Sequence, residues 1–157
     1  MTNFPVLRAT HKKGLKINYI SKKDIPESLI EKRKTEAGYI NISNSALTAT
    51  DLVQFEKRAG GLNRVSNILN ELMEELQPID FSRELLRHVP TTVSQRLGYI
   101  LEFICHNQLL ADGLYEALAD NRQQLFRTPL KVSADSKGYT SENRWKVIVN
   151  TEIEVDE

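Results

Sequence analysis

The chain reads as an α+β domain: a small mixed sheet formed by N- and C-terminal strands, packed with a central cluster of about five helices. Patterns of spacing predict this. Residues 15–19 and 39–43 alternate apolar and polar near the beginning, and residues 145–153 do so near the end, which is strand period. Between them, from Ala46 to Leu118, apolar residues recur at intervals of three and four, which is helix period. Asn, Ser, Gly and Pro stand where those helices begin and stop.

Residues 1–14 are polar and basic, broken by Pro5 and Gly14, and lead into the fold. Leu15, Ile17 and Tyr19 give a first strand with one buried face. Residues 26–32 fit a single helical turn and a charged loop equally well. Residues 34–36 and 39–43 read as short strands around the turn at Ala37-Gly38, sharing a sheet with the first. Asn44 and Ser45 are capping types for a helix through Phe55, and Ala59-Gly60-Gly61 stops it. Asn63 then caps a helix whose stripe is Val65, Ile68, Leu69, Leu72 and Leu76, ended by Pro78. Asp80 opens a shorter helix through Leu85 and Leu86.

The central element is the helix over residues 92–106. Thr92 followed by Gln95 has the spacing of a capping box. Val93, Leu97, Ile100, Leu101 and Ile104 share one face, and Tyr99 and Phe103 add a second apolar strip, so the helix is buried on most sides. Gln95, Gly98 and Glu102 form the remaining edge. Glycine costs about 1 kcal/mol against alanine in a helix interior, and close approach by another part of the backbone explains its presence. After a link at Asn107-Gln108, Leu110, Leu114, Ala117 and Leu118 carry one more helix. A strand starts at Thr128, residues 134–143 form a polar loop, and residues 145–153 form the clearest strand, with Ile148 implying cover on both faces.

At 157 residues the chain suits one ordinary core, and 1–157 is taken as a single domain. Lys+Arg and Asp+Glu each number 21, so bulk charge points to no polyanionic partner. The lone Cys105 excludes an internal disulfide framework and suits a reducing compartment. No apolar run approaches the roughly 18 residues of a membrane span, and no signal core is evident, which together predict a cytoplasmic location. Charge is nonetheless unevenly spread. Arg8, Lys12, Lys13, Lys16, Lys22, Lys23, Lys32, Arg33 and Lys34 outnumber Asp24, Glu27 and Glu31, whereas Glu152, Glu154, Asp156 and Glu157 close the chain. Those basic residues are candidates for contact with DNA or an acidic partner. The plainer alternative is a solvated lysine face met by the acidic tail.

No catalytic constellation stands out. His11, His88 and His106 have no ligand spacing, and one cysteine makes a zinc site implausible, so no cofactor or metal is expected. Gly60-Gly61 lacks the lysine of a phosphate loop. Cys105 on an apolar helix is inert core. Asp51 with Glu152 or Glu154 beside Lys146 would resemble the acid cluster of a magnesium-dependent nuclease, active or degenerate; the plainer reading is that Asp51 bonds backbone amides or an arginine such as Arg96. Arg96 and Glu102 read as a structural polar pair. Trp145 is either an interface anchor or core, and the edge of Gln95, Gly98 and Glu102 either receives a partner or packs a neighbouring element.

Ala49-Thr50-Asp51-Leu52-Val53, Ala59-Gly60-Gly61-Leu62, Gln95-Arg96-Leu97-Gly98-Tyr99-Ile100-Leu101-Glu102 and the closing Arg144-Trp145-Lys146-Val147-Ile148-Val149-Asn150-Thr151-Glu152-Ile153-Glu154 occur in a meaningful order. In them the chain resembles the C-terminal domain of AbiEi-type antitoxins, from bacterial abortive-infection (type IV) toxin–antitoxin systems, from near Leu15 to the end. The resemblance implies a non-enzymatic antitoxin that opposes a nucleotidyltransferase-like toxin without forming a stable complex. It makes Asp51, Gly60, Gly61, Gln95, Arg96, Gly98, Glu102, Trp145 and Asn150 structural signature residues. Family members also repress their own operon through an N-terminal winged helix-turn-helix. None precedes Leu15 here, so operator binding and autoregulation are expected only with that domain. A basic DNA-binding accessory module is the other non-enzymatic expectation.

Overall fold

The computed structural model describes residues 7–155. The chain divides into two compact units, Met1–Ile42 and Ser43–Glu157. In the first, β1 (Thr10–Lys12) pairs antiparallel with β2 (Leu15–Ile17), placing His11 opposite Lys16. Lys13 and Gly14 join them at φ 50° and 79°, the positive angles that a tight two-residue hairpin turn demands. A 3-10 turn at Glu27–Leu29 leads directly into β3 (Ile30–Thr35), which pairs with β4 (Gly38–Ser43). Thus the ambiguous stretch begins as a helical turn, and the strand after it reaches further back than residues 34–36.

These hairpins lie open to solvent. Leu15 is 69 % and Tyr39 72 % exposed, and Leu29 is the one buried apolar side chain among the unit's described residues. The buried face expected along residues 15–19 is therefore not formed. Alternation makes a strand amphipathic, but burial requires a second layer over the apolar face. The first six residues of the N-terminal lead-in, and Asp156 and Glu157, lie outside the described residues.

The α+β class holds, but the strands do not assemble into one sheet of N- and C-terminal segments. They form separate two-stranded ladders, β1 with β2, β3 with β4, and β5 (Thr128–Pro129) parallel to β6 (Val147–Ile148). The strand expected over residues 145–153 is reduced to β6 for a local reason. Lys146 takes φ 54°, which breaks the extended backbone, and the Asn150 N–H turns back to Ile148 O at 3.0 Å.

Helices fill the second unit. Asn44 Oδ1 accepts the Leu47 N–H at 2.8 Å and starts α1 (Ser45–Gln54), which buries Ala46, Leu47, Ala49 and Val53. The short α2 (Glu56–Ala59) is closed by Gly60 at φ 102°, a left-handed cap that suits glycine. Next comes α3 (Leu62–Leu72), with Val65 and Leu69 fully buried. Its cap is Gly61 rather than Asn63, because the Gly61 carbonyl already accepts the Val65 N–H at 3.0 Å. Likewise Asp80 does not open α4 (Arg83–His88). Its carboxylate accepts the Gln77 N–H at 2.8 Å around the 3-10 turn Pro78–Asp80, and Ser82 caps α4 through the Leu85 N–H.

The central helix α5 (Thr91–Tyr99) starts after Pro90 without a side-chain cap, so the Thr92–Gln95 capping box is not made. Its continuation, Ile100–Ile104, is a π-helical segment in which Cys105 N–H bonds Ile100 O at 2.9 Å. Burial is unbroken from Val93 to Leu101 and then lapses, with Phe103 43 % exposed, because the wider turn rotates later side chains off the core face. The second apolar strip is correspondingly incomplete. Asn107, expected in a link, caps α6 (Gln108–Asp120) by accepting the Leu110 N–H at 3.0 Å. With α1 and α6 against it and β5 and β6 along its remaining edge, α5 is the hub of this unit. No helix among the described residues is long and apolar enough to cross a membrane.

Candidate functional site

The edge of α5 carrying Gln95, Gly98 and Glu102 forms a slot, and Trp145 fills it. Spacings of three and four bring the small residue between the polar ones on one helix face. A Cβ at Gly98 would overlap the six-membered ring of Trp145, whose side chain is completely buried. The close approach that this glycine implies is therefore made by an aromatic ring, not by backbone. On one side of the ring, Gln95 Nε2 donates to the carbonyls of Trp145 and Phe126, and its Oε1 accepts the Phe126 N–H at 3.3 Å. On the other, Glu102 Oε2 accepts Trp145 Nε1–H at 2.6 Å and Arg144 Nε–H at 2.7 Å. A buried glutamine able to donate and accept replaces the ladder that an extended β6 would have supplied.

Around the ring, Tyr115 packs edge-on at 5.4 Å, and the Arg144 guanidinium lies 4.9 Å from the Tyr115 centroid and 5.1 Å from that of Trp145. Arg144 also bridges Glu102 and Asp112. Burial opposes its charge, but the bonds to Asp112 and Glu102 outweigh this and raise its pKa. In return, the hydrogen bond from Arg144 holds the Asp112 carboxyl below its ordinary value, assisted by Gln108.

One helical step away, Arg96 points to the opposite flank. It donates from Nε to Leu130 O at 2.8 Å, from Nη1 to Val53 O at 3.2 Å, and from Nη2 to the Glu56 carboxylate. Arg96 is 4 % and Glu56 5 % exposed, so this is a fully enclosed ion pair. Burial lowers the guanidinium pKa, and the charge and hydrogen bond of Glu56 offset this only in part. The expected pairing of Arg96 with Glu102 is thus corrected: Glu102 serves Trp145 and Arg144, and Glu56 serves Arg96. Spacing gave a partial signal for Glu56, since Ala49, Val53 and Glu56 follow at four and three, although Glu56 itself opens α2. An acid on such a stripe implies a buried cation.

Asn150 completes the arrangement. Its Oδ1 accepts Lys131 N–H at 3.0 Å and its Nδ2 donates to Lys131 O and Ala134 O at 2.9 and 3.2 Å, tying the end of β6 to the loop after β5. Gly60 and Gly61, both at positive φ, make the joint between α2 and α3, with Gly61 N–H on Glu56 O at 2.8 Å. Asp51 is half-buried on α1. Among the described residues no group of three or more His, Cys, Asp or Glu side chains is placed to hold a metal, so Asp51, Glu152 and Glu154 do not converge as a nuclease acid cluster. Cys105 donates weakly to Ser66 O at 3.9 Å, and burial pushes its thiol up to about 11.

The basic candidates all belong to the hairpin unit. Arg8, Lys12, Lys13, Lys16, Lys23, Lys32, Arg33 and Lys34 are exposed, and Lys22 is half-buried. Lys32, Arg33 and Lys34 are consecutive on β3 and so alternate between its faces rather than forming one patch.

This defines an α+β protein whose buried Gln95, Arg96 and Asn150 hold its own C-terminal segment. Residues 6–103 match the family model of the AbiEi antitoxin C-terminal domain, and the chain belongs to that family. The match includes Asp51, Gly60, Gly61 and the α5 signature; Trp145 and Asn150 lie beyond it. Comparisons with curated proteins and with solved structures found no match.

Proposed function

We propose that this chain is a non-enzymatic antitoxin domain that opposes a cognate nucleotidyltransferase-like toxin in the bacterial cytoplasm, as part of a type IV abortive-infection system that defends against phage. The observation that carries this is membership of the AbiEi antitoxin family across residues 6–103. Neutralisation proceeds without a stable toxin–antitoxin complex, and a winged-helix domain acting with this one adds transcriptional autoregulation. The slot on α5 supports a scaffolding role, since Gln95, Arg96 and Glu102 are hydrogen-bonded within the fold. Co-expression with a nucleotidyltransferase toxin encoded beside it tests the proposal. Restored growth is the expected result; continued arrest overturns it.

A second reading is a DNA-contacting accessory role for the hairpin unit. It rests on nine basic residues against four acidic ones in Met1–Ile42. Gel shifts at low and moderate salt decide it, because phosphate-driven binding weakens steeply as salt rises. Binding that ignores salt, or no binding at low salt, removes this role.

A further inference from the structure

The charge of the hairpin unit and that of the C-terminal segment are patterned alike as well as opposite in sign. Lys32 and Lys34 lie two residues apart on one face of β3. The chain closes Thr151-Glu152-Ile153-Glu154-Val155-Asp156-Glu157, so Glu152 and Glu154 repeat that spacing with no basic residue among them. Thr151, Ile153 and Val155 interleave with the acids, giving a strand pattern with one acidic face and one β-branched face. Residues 151–155 nevertheless join no ladder. The β3–β4 sheet, for its part, is two-stranded among the described residues, so each strand pairs on one side only there. Two-stranded hairpins are marginal in water, and an unpaired edge is a template for an added strand. Lysines on such an edge repel a basic strand and admit an acidic one.

We propose that the β3–β4 hairpin accepts residues 151–155 of a second copy of this chain as an added strand, exchanged reciprocally in a twofold dimer. In that register Glu152 and Glu154 meet Lys32 and Lys34, and Thr151, Ile153 and Val155 fall on the face of β3 that carries Glu31, Arg33 and Thr35. A twofold exchange uses the contact twice and closes the assembly. Nucleic acid would match the charge of the hairpin but offers no peptide ladder.

Sedimentation velocity of the full chain across a concentration series, at about 50 mM and about 500 mM salt, tests this. The expected result is a dimer that dissociates as salt rises. Lys32→Glu with Lys34→Glu, and separately Glu152→Lys with Glu154→Lys, each raise the dimer dissociation constant at least tenfold, on the order of 1.4 kcal/mol or more. An equimolar mixture of the two variants restores association, because each then offers the charge the other lacks. None of the four positions belongs to the tryptophan slot; unchanged Trp145 fluorescence confirms folding of the helical unit, and an unchanged far-UV circular dichroism spectrum confirms the hairpins. A monomer at every concentration overturns the proposal. So does a dimer indifferent to both charge reversals, or a mixture that stays monomeric.

Discussion

In Ser43–Glu157 a tryptophan, a glutamine and an arginine are almost wholly enclosed; the glutamine and arginine hold backbone carbonyls, and the indole N–H donates to Glu102. In Met1–Ile42 Leu29 is the one apolar side chain buried among the described residues, while Leu15, Ile17, Tyr39 and Ile40 face solvent. The first arrangement derives its stability from packing and from buried polar groups that depend on their partners. The second relies on hairpin turns and local pairing, worth little individually. Single substitutions should therefore divide sharply by unit, and Trp145, the only tryptophan, reports on the helical one.

The largest effect is expected from Arg96→Met. It strands the Glu56 carboxylate, 5 % exposed, without its cation, and breaking one side of a buried pair costs about 3–5 kcal/mol. Urea unfolding followed by Trp145 fluorescence measures this. Adding Glu56→Leu to Arg96→Met should recover much of the loss, because an apolar pair removes the stranded charge. A lone Arg96→Met as stable as wild type would mean that the pair is not the anchor of α5. By contrast, Lys32→Glu on the exposed hairpin should leave the same transition within about 0.5 kcal/mol.

Gly98→Leu comes next, at about 3 kcal/mol, the upper end of the usual overpacking cost. Even a Cβ at this position overlaps the Trp145 ring, and that ring has no solvent side to move toward. Gly14→Leu in the hairpin unit is the matching control. It meets nothing within 4 Å and is strained only by its φ of 79°, so it should leave the Trp145 transition in place. Equal losses from both substitutions would erase the distinction between the units.

Much of the helical unit was legible in the amino-acid pattern, the openness of the hairpin unit was not, and the missing parts have physical reasons. Helix periods located α1, α3, α5 and α6 because each buries one stripe against a common core. Gly98 declared a close approach because glycine inside a helix is otherwise unfavourable. What spacing does not reveal is the destination of a polar side chain. Gln95 looks like a capping residue at the right distance from Thr92, but tertiary burial redirects it to Trp145 and Phe126. The C-terminal alternation looks like a long strand, yet Lys146 at positive φ leaves only Val147–Ile148 paired. Glu56 was passed over because it falls where α1 gives way to α2, and its meaning emerges only with Arg96 beside it.

Glu102→Gln has a smaller expected cost, about 1–2 kcal/mol, since a neutral amide still accepts from Trp145 Nε1 but weakens the charge-assisted bond to Arg144. Its signature is shape as much as stability. The tryptophan emission of the folded state should shift, because the indole N–H loses an ionised acceptor, whereas Glu36→Gln on the hairpin turn should move neither stability nor emission. An unshifted spectrum in Glu102→Gln would place the indole in a different hydrogen bond.

Cys105 gives the finest probe, because its chemistry follows the integrity of the helical unit without altering it. Burial pushes the thiol up to about 11, against about 8.5 for an unfolded cysteine. A raised acid value means that the fold favours the neutral thiol. Its contribution to stability is complete below the unfolded value, declines as pH rises above about 8.5, and is gone above the folded one. Alkylation at about pH 8.5 should therefore run on the order of a hundredfold slower in the native chain than in urea, as the thiolate fraction falls. Cys105→Ala should flatten the alkaline limb of the stability profile. Charge reversals on the hairpin unit should leave the labelling rate unchanged, whereas Gly98→Leu should accelerate it by opening the tryptophan slot. If hairpin substitutions accelerate labelling as strongly as Gly98→Leu does, the two units unfold as one, and their separate physics does not extend to separate stability.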